Sequence, residues 1–398
     1  MADEFHVIGS RHEYDKAVER IAGGEGPVAV DAERASGFRY SQRAYLIQLY
    51  RRGSGTFLFD PTELDGFDDL QSVIHGVEWD LHAASQDLAC LREVGLDPER
   101  IFDTELAARL LGMPRVGLAT VVEELLGIRL AKEHSAADWS TRPLPQPWLR
   151  YAALDVELLV DVRDQLAQRL DEAGKSAIAE QEFEATIRRE AKPPAAEPWR
   201  RLSGIHSLRS PRNLAVARSL WQARDSLAAE VDTAPGRLIP DASILAVAKS
   251  LPESKRALAD LKAFNGRASR TELDRWWSAI EEARTADPPA TRVASDAPPP
   301  PRAWAARNPE ADARLRLAKV SLSDVAERME MPVENLLTPD HLRRVAWHPP
   351  AEPTAEHIAE ALAALGARPW QLEATAQIIA DAFVKAAQSL EDATHEAS

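Results

Sequence analysis

Two proline-rich stretches constrain what this chain can fold into. One is Lys192-Pro-Pro-Ala-Ala-Glu-Pro198, and the other runs from about Asp287 to Arg302. Proline lacks a backbone N–H and fixes φ, so neither stretch sustains a helix, and both read as semi-rigid spacers. They split the 398 residues into segments 1–191, 197–284 and 303–392, with 285–302 as a linker. Roughly 100–200 residues per domain is ordinary, so each segment is long enough to bury a core.

The first segment alternates strand and helix signals. Val28 to Glu33, Tyr45 to Tyr50, Thr56 to Asp60, Trp79 to His82 and Ile101 to Asp103 read as short apolar strands. Gly53-Ser-Gly55 predicts a hairpin between the second and third of these. Helical spacing covers about 12–22, 68–76, 86–95, 104–112, 117–126 and 148–171. Three consecutive strands followed by alternating elements predict a mixed sheet covered by helices, an α/β domain. The second and third segments show helical spacing only and read as all-α bundles.

The net charge of −15 argues against a polyphosphate partner at first sight. From Arg200 to Arg284, however, 15 basic residues face 10 acidic ones, so the middle segment is a basic module on an acidic chain. A solvated helical surface would have the same composition. Cys90 is the one cysteine, which excludes an intramolecular disulfide and fits a cytoplasmic protein. No signal-peptide pattern opens the sequence, and no uninterrupted apolar run suits a membrane span.

Asp31 and Glu33 stand two apart on a predicted strand and so project from one face. Two anions there need a counter-charge such as a metal, although an edge strand would also tolerate them. Asp87 follows the fourth strand in the first turn of a helix capped by Ser85. An acid at that position also simply complements the helix dipole. Tyr151 and Asp155, four apart, share a helix face. Each pair is weak by itself. Together the four carboxylates suit hard divalent cations in phosphoryl transfer.

Val28-Ala-Val-Asp31-Ala-Glu33, His82-Ala-Ala-Ser-Gln-Asp87-Leu and Tyr151-Ala-Ala-Leu-Asp155-Val resemble, in order and spacing, the three motifs of the ribonuclease D branch of the DEDD exonucleases. Phe102-Asp-Thr104 and Asp138-Trp-Ser-Thr-Arg142-Pro-Leu144 between them are also similar. The resemblance implies an RNase-H-like catalytic fold and two divalent cations, Mg²⁺ or Mn²⁺. It implies that Asp31, Glu33 and Asp155 hold one cation, that Asp31 bridges to the second, and that Asp87 helps hold the second. Tyr151 would orient the attacking water. The histidine subclass would place His at position 150, where Arg150 stands, so Tyr151 marks the tyrosine subclass. Gln48, His82 and Arg142 are candidate substrate contacts. Alternatively, Gln48 is a strand-edge polar group, His82 a core histidine and Arg142 a fixer of the loop before Tyr151.

Leu220-Trp-Gln-Ala-Arg-Asp225, Pro235 and Leu238-Ile-Pro240 resemble the helicase-and-RNase-D C-terminal (HRDC) domain, and 303–392 is similar to a second, divergent copy. The resemblance implies hydrolysis of RNA 3′ ends to 5′-mononucleotides, with precursors of tRNA and other stable RNAs as substrates. The helical modules would hold long RNA while the first segment cuts. A DNA-directed exonuclease and a noncatalytic RNA-binding scaffold are the alternatives. No protein partner is indicated, and a monomer is the simplest expectation.

Overall fold

The computed structural model describes residues 5–130, 134, 136–190, 193, 195–292 and 297–396. Ala191, Lys192 and Pro194 at the first break and residues 293–296 of the proline-rich linker lie outside these. Among the described residues, no helix is long and apolar enough to cross a membrane.

The α/β region holds one six-stranded mixed sheet. Its strands are β1 (Val7–Ile8), β2 (Glu25–Arg34), β3 (Ala44–Arg52), β4 (Gly55–Phe59), β5 (Glu78–Leu81) and β6 (Arg100–Asp103), in the order β1-β4-β3-β2-β5-β6. The β2–β3 and β3–β4 pairs are antiparallel, and β1–β4, β2–β5 and β5–β6 are parallel. The hairpin falls where the glycines placed it, with Gly53 and Gly55 both at positive φ. The two-residue β1 carries too little pattern to be seen in sequence.

Helices α1 (Arg11–Ala22), α2 (Asp68–Ile74), α3 (Leu88–Glu93), α4 (Thr104–Leu110), α5 (Leu118–Leu126), α6 (Gln146–Glu157), α7 (Leu159–Glu172) and α8 (Ser176–Ile187) cover the sheet. The single helix expected over 148–171 is two helices that meet at Leu158. Ser85 is not an N-cap. Ala84–Gln86 forms a 3₁₀ turn, and Asp87 sits at the junction with α3. Alternation along β2 sends Val28, Val30 and Ala32 to the main apolar core, while Ala29 packs with Val156, Leu159 and Val160 of α6 and α7. Asp31 and Glu33 therefore point toward α6.

The two helical regions differ in how they pack. The middle region runs from Pro198 to Thr285 and begins with α9 (Pro211–Glu230) and α10 (Pro235–Leu238). It closes its own core around Leu220, Ile239, Phe264, Trp276 and Ile280. The third region, built on Pro309–Arg328 and Pro369–Glu396, shares its core with the sheet among the described residues. Trp304, Leu315, Leu322 and Phe383 belong to the same continuous cluster as Phe57, Trp79 and Phe102 of the sheet. Polar bonds lock this seam. Lys175 Nζ donates to the Leu110 and Glu330 carbonyls at 2.6 and 3.2 Å. Arg368 grips Glu182 through two 2.6 Å bonds, and Trp370 Nε1 adds a third at 2.8 Å.

Candidate active site

Five of the residues singled out in the sequence (Asp31, Glu33, Asp87, Tyr151 and Asp155) line one cavity of about 650 Å³ together with His82. β2 supplies the first two carboxylates. α6 supplies Tyr151 and Asp155 one turn apart, and its buried Ala152 and Ala153 let the helix lie close on the sheet. Carboxylate oxygens of Asp31, Glu33 and Asp155 all fall within 4.8 Å of one another.

That closeness is electrostatically expensive. Burial, followed by the charges of Asp31, Asp155 and Asp87, pushes the Glu33 carboxyl up to about 10. Burial and then Asp31 push Asp155 up to about 8. Asp31 and Asp87 are also raised, foremost by burial. A cluster of buried oxygens that resists ionising alone, in a site with one nearby guanidinium, is a donor set that fits a divalent cation. Tyr151 is raised by burial and by the Asp155 carboxylate beside it, so its phenol stays protonated near neutral pH and can donate. Its ring lies 6.4 Å from the fully buried Trp139.

Asp103 builds the turn that delivers Asp87. Its carboxylate accepts the N–H groups of Ala83 at 3.1 Å and Ala84 at 2.9 Å, while it also caps α4 through Glu105 and Leu106. This holds Ala83 in the left-handed region at φ 62° and swings the chain from β5 into the cavity. His82 faces the cavity but is tied at Nδ1 to Thr104 Oγ1, 2.9 Å away, and burial lowers it to about 4, so it is neutral.

Two expected substrate contacts are placed elsewhere. Gln48, directly across from Asp31 on β3, is wholly buried and donates to Asp31 Oδ2 at 3.2 Å. It therefore orients a carboxylate from below. Arg142 is absent from the cavity wall. Its guanidinium pairs with Asp60 at 2.6 and 2.9 Å and also bonds the carbonyls of Tyr45, Trp139 and Thr141, fixing the loop before α6.

One residue went unread in the sequence. Arg34 lines the cavity and reaches within 3.6 Å of Asp87 Oδ1, the one guanidinium or ammonium among the described lining residues. Regular alternation would point it away from Glu33. A register irregularity between Glu33 and Arg34 returns it to the same side, and no residue type announces that bulge.

Comparison with known proteins fits this arrangement. Residues 5–171 match a family model for a 3′-5′ exonuclease, 213–280 the HRDC domain, and 297–383 a 3′ to 5′ exonuclease C-terminal domain. Ribonuclease D of Cronobacter turicensis is 33% identical over 57% of this chain and 62% of its own length. The chain thus spans under two thirds of that relative. Ribonuclease D of Granulibacter bethesdensis is 32% identical over 68% of this chain and 67% of its own. A crystal structure of a protein from Bifidobacterium adolescentis superposes with a TM-score of 0.89 at 36% identity, covering 96% of this chain and 99% of that one. Escherichia coli RNase D, described as an exoribonuclease involved in structured RNA processing, superposes at 0.68 with 25% identity, covering 91% and 98%. A carboxylate cluster built by β2 and α6, within a chain alike over two thirds of both lengths, places this protein in the ribonuclease D family.

Proposed function

We propose that this chain is a metal-dependent 3′-5′ exoribonuclease that releases 5′-mononucleotides from single-stranded RNA 3′ ends, tRNA and stable-RNA precursors among them. The observation that carries the reading is the convergence of Asp31, Glu33 and Asp155 within 4.8 Å, in a cavity that Asp87 and Tyr151 also line. Asp31, Glu33 and Asp155 would hold one divalent cation, Mg²⁺ or Mn²⁺, and Asp87 with Asp31 would hold a second. When bound, such cations polarise phosphoryl oxygens and supply a nucleophile from water near neutral pH.

The chain's own groups do the positioning. Gln48 fixes the Asp31 carboxylate through the hydrogen bond to Oδ2. Tyr151, protonated, donates a hydrogen bond that orients the attacking water. Arg34 brings a positive charge to the scissile phosphate, which needs one as its oxygens accumulate charge. His82, neutral, offers a ring face and no charge.

Digestion of a 5′-labelled single-stranded RNA with Mn²⁺ or Mg²⁺ tests this. A ladder shrinking from the 3′ end is expected, with loss to background in EDTA and in Asp155→Ala. Intact RNA with well-folded protein and either metal would sink the reading and leave an RNA-binding scaffold. Faster turnover of a matched DNA oligonucleotide would transfer the activity to DNA.

A further inference from the structure

The loop 35–43 leaves β2 just after Arg34 and returns as β3, and its Ser36, Gly37 and Phe38 form part of the cavity wall. Within the α/β region this loop has modest support. Phe38 and Arg39 N–H groups turn back to the Ala35 carbonyl at 2.8 Å, and Arg39 Nε bonds Ser140 Oγ at 2.7 Å.

The middle region supplies more. Asp232, in the turn between α9 and α10, adopts the left-handed backbone at φ 40°. Its Oδ1 accepts the N–H groups of Tyr40 at 3.1 Å and Ser41 at 3.0 Å, and its Oδ2 accepts the Tyr45 hydroxyl at 3.2 Å. Asp225 accepts the Tyr40 hydroxyl at 3.2 Å. The Ala234 N–H donates to the Phe38 carbonyl at 3.0 Å. Arg237 Nε donates to the Gly37 carbonyl at 2.7 Å, and its guanidinium covers the Phe38 ring at 3.9 Å. Charge-assisted bonds of this kind are stronger and more directional than neutral ones. They converge on residues 37–45, of which Gly37 and Phe38 line the cavity.

We propose that Asp232 and Arg237 are positioning residues of the exonuclease site, through which the middle domain fixes Phe38 as the wall against which the 3′-terminal base lies. The inference rests on the exonuclease reading. An aromatic ring with one face covered by a guanidinium is a rigid platform, and every base has a π-face to lay on it. The middle domain is then part of the active site, in addition to any grip it has on long RNA.

The test uses the full chain and a trinucleotide RNA, too short to need a remote holding surface. In Asp232→Ala, KM should rise about tenfold with a smaller change in kcat, and the Tyr40 and Ser41 amides should exchange with solvent faster. Mere loss of folded enzyme would lower apparent kcat and leave KM alone. Asp232→Asn keeps an acceptor for both N–H groups and should restore most of each effect. Phe38→Ala should raise KM without altering that exchange. If Asp232→Ala does not fold, Arg237→Ala and Phe38→Ala carry the same KM test. Unchanged trinucleotide KM in these variants, with only folded-RNA affinity lost, overturns the positioning role. Unchanged exchange in Asp232→Ala overturns the clamp itself. An intact protein that cleaves no RNA, with exchange still altered in Asp232→Ala, would remove the exonuclease reading and leave the clamp standing.

Discussion

The middle and C-terminal regions are both entirely helical, and both touch the α/β region close to its cavity. The C-terminal region does so by merging hydrophobic cores, with Trp304, Leu315 and Phe383 continuous with the sheet's own apolar residues. The middle region keeps a closed core around Trp276 and reaches across with two carboxylates, a guanidinium and an N–H. An apolar seam is non-directional and contributes in proportion to area removed from water. A polar clamp contributes little net stability but specifies geometry. The first should therefore hold the fold together and the second should hold one loop in place.

The largest effect should come from removing the seam. A chain ending at residue 300 exposes to water the sheet-side apolar partners of the C-terminal helices, Glu182 loses Arg368 and Trp370, and Lys175 keeps only its bond to the Leu110 carbonyl. Exposing apolar surface costs about 25 cal/mol per Å², so losing a seam that is continuous with the sheet's own core is strongly destabilising. We expect this chain to show no cooperative melting of the α/β region by circular dichroism or calorimetry. Melting at the intact protein's temperature would break the comparison outright.

A matched pair of substitutions sharpens it. Trp304 and Trp276 are both fully buried, the first packed 4.8 Å from the Trp347 ring and the second 6.5 Å from the Phe264 ring. Each truncation to alanine should cost about 3–5 kcal/mol. In calorimetry Trp304→Ala should lower the transition that unfolds the sheet. Trp276→Ala should lower a separate transition of the middle region and leave the sheet's in place. A single transition shifted equally by both would show the three regions to be one cooperative unit.

This contrast also explains what the sequence could reveal. Asp31 with Glu33, and Tyr151 with Asp155, were legible because strand and helix periods fix which side chains share a face. The cores were legible as helical spacing, but not their ownership. A stripe such as Leu315, Leu322 and Val325 looks the same whether its own bundle or another region covers it. The clamp was invisible for a complementary reason, since Asp232 in a turn and Arg237 on a four-residue helix read as solvated surface. Arg34 was hidden by a backbone irregularity, and for Gln48 and Arg142 a substrate contact and a structural role both stayed open in the sequence. Polar residues beside a site look alike in sequence whether they face the ligand or, like Gln48, hold a group that does.

A smaller effect tests whether stability changes within the sheet stay out of the middle region. Asp80 on β5 is fully buried, and neither of its oxygens finds a hydrogen-bond donor among the described residues. Its nearest cation, Arg163 Nε, is 4.0 Å away, and burial raises its carboxyl well above the ordinary value of 3.8. The folded state thus favours the protonated form. This group's contribution to stability is fully present below pH 3.8 and is lost as pH rises through the higher folded value. Asp80→Asn removes the titration and keeps the shape, so it should stabilise at pH 8 by about 1–3 kcal/mol. The gain should shrink to nothing near pH 4. It should appear in the transition that Trp304→Ala moves and be absent from the one that Trp276→Ala moves. Destabilisation at pH 8 would instead make Asp80 a working partner of Arg163, and a gain shared by both transitions would mean that the middle region senses the sheet through more than its grip on residues 37–45.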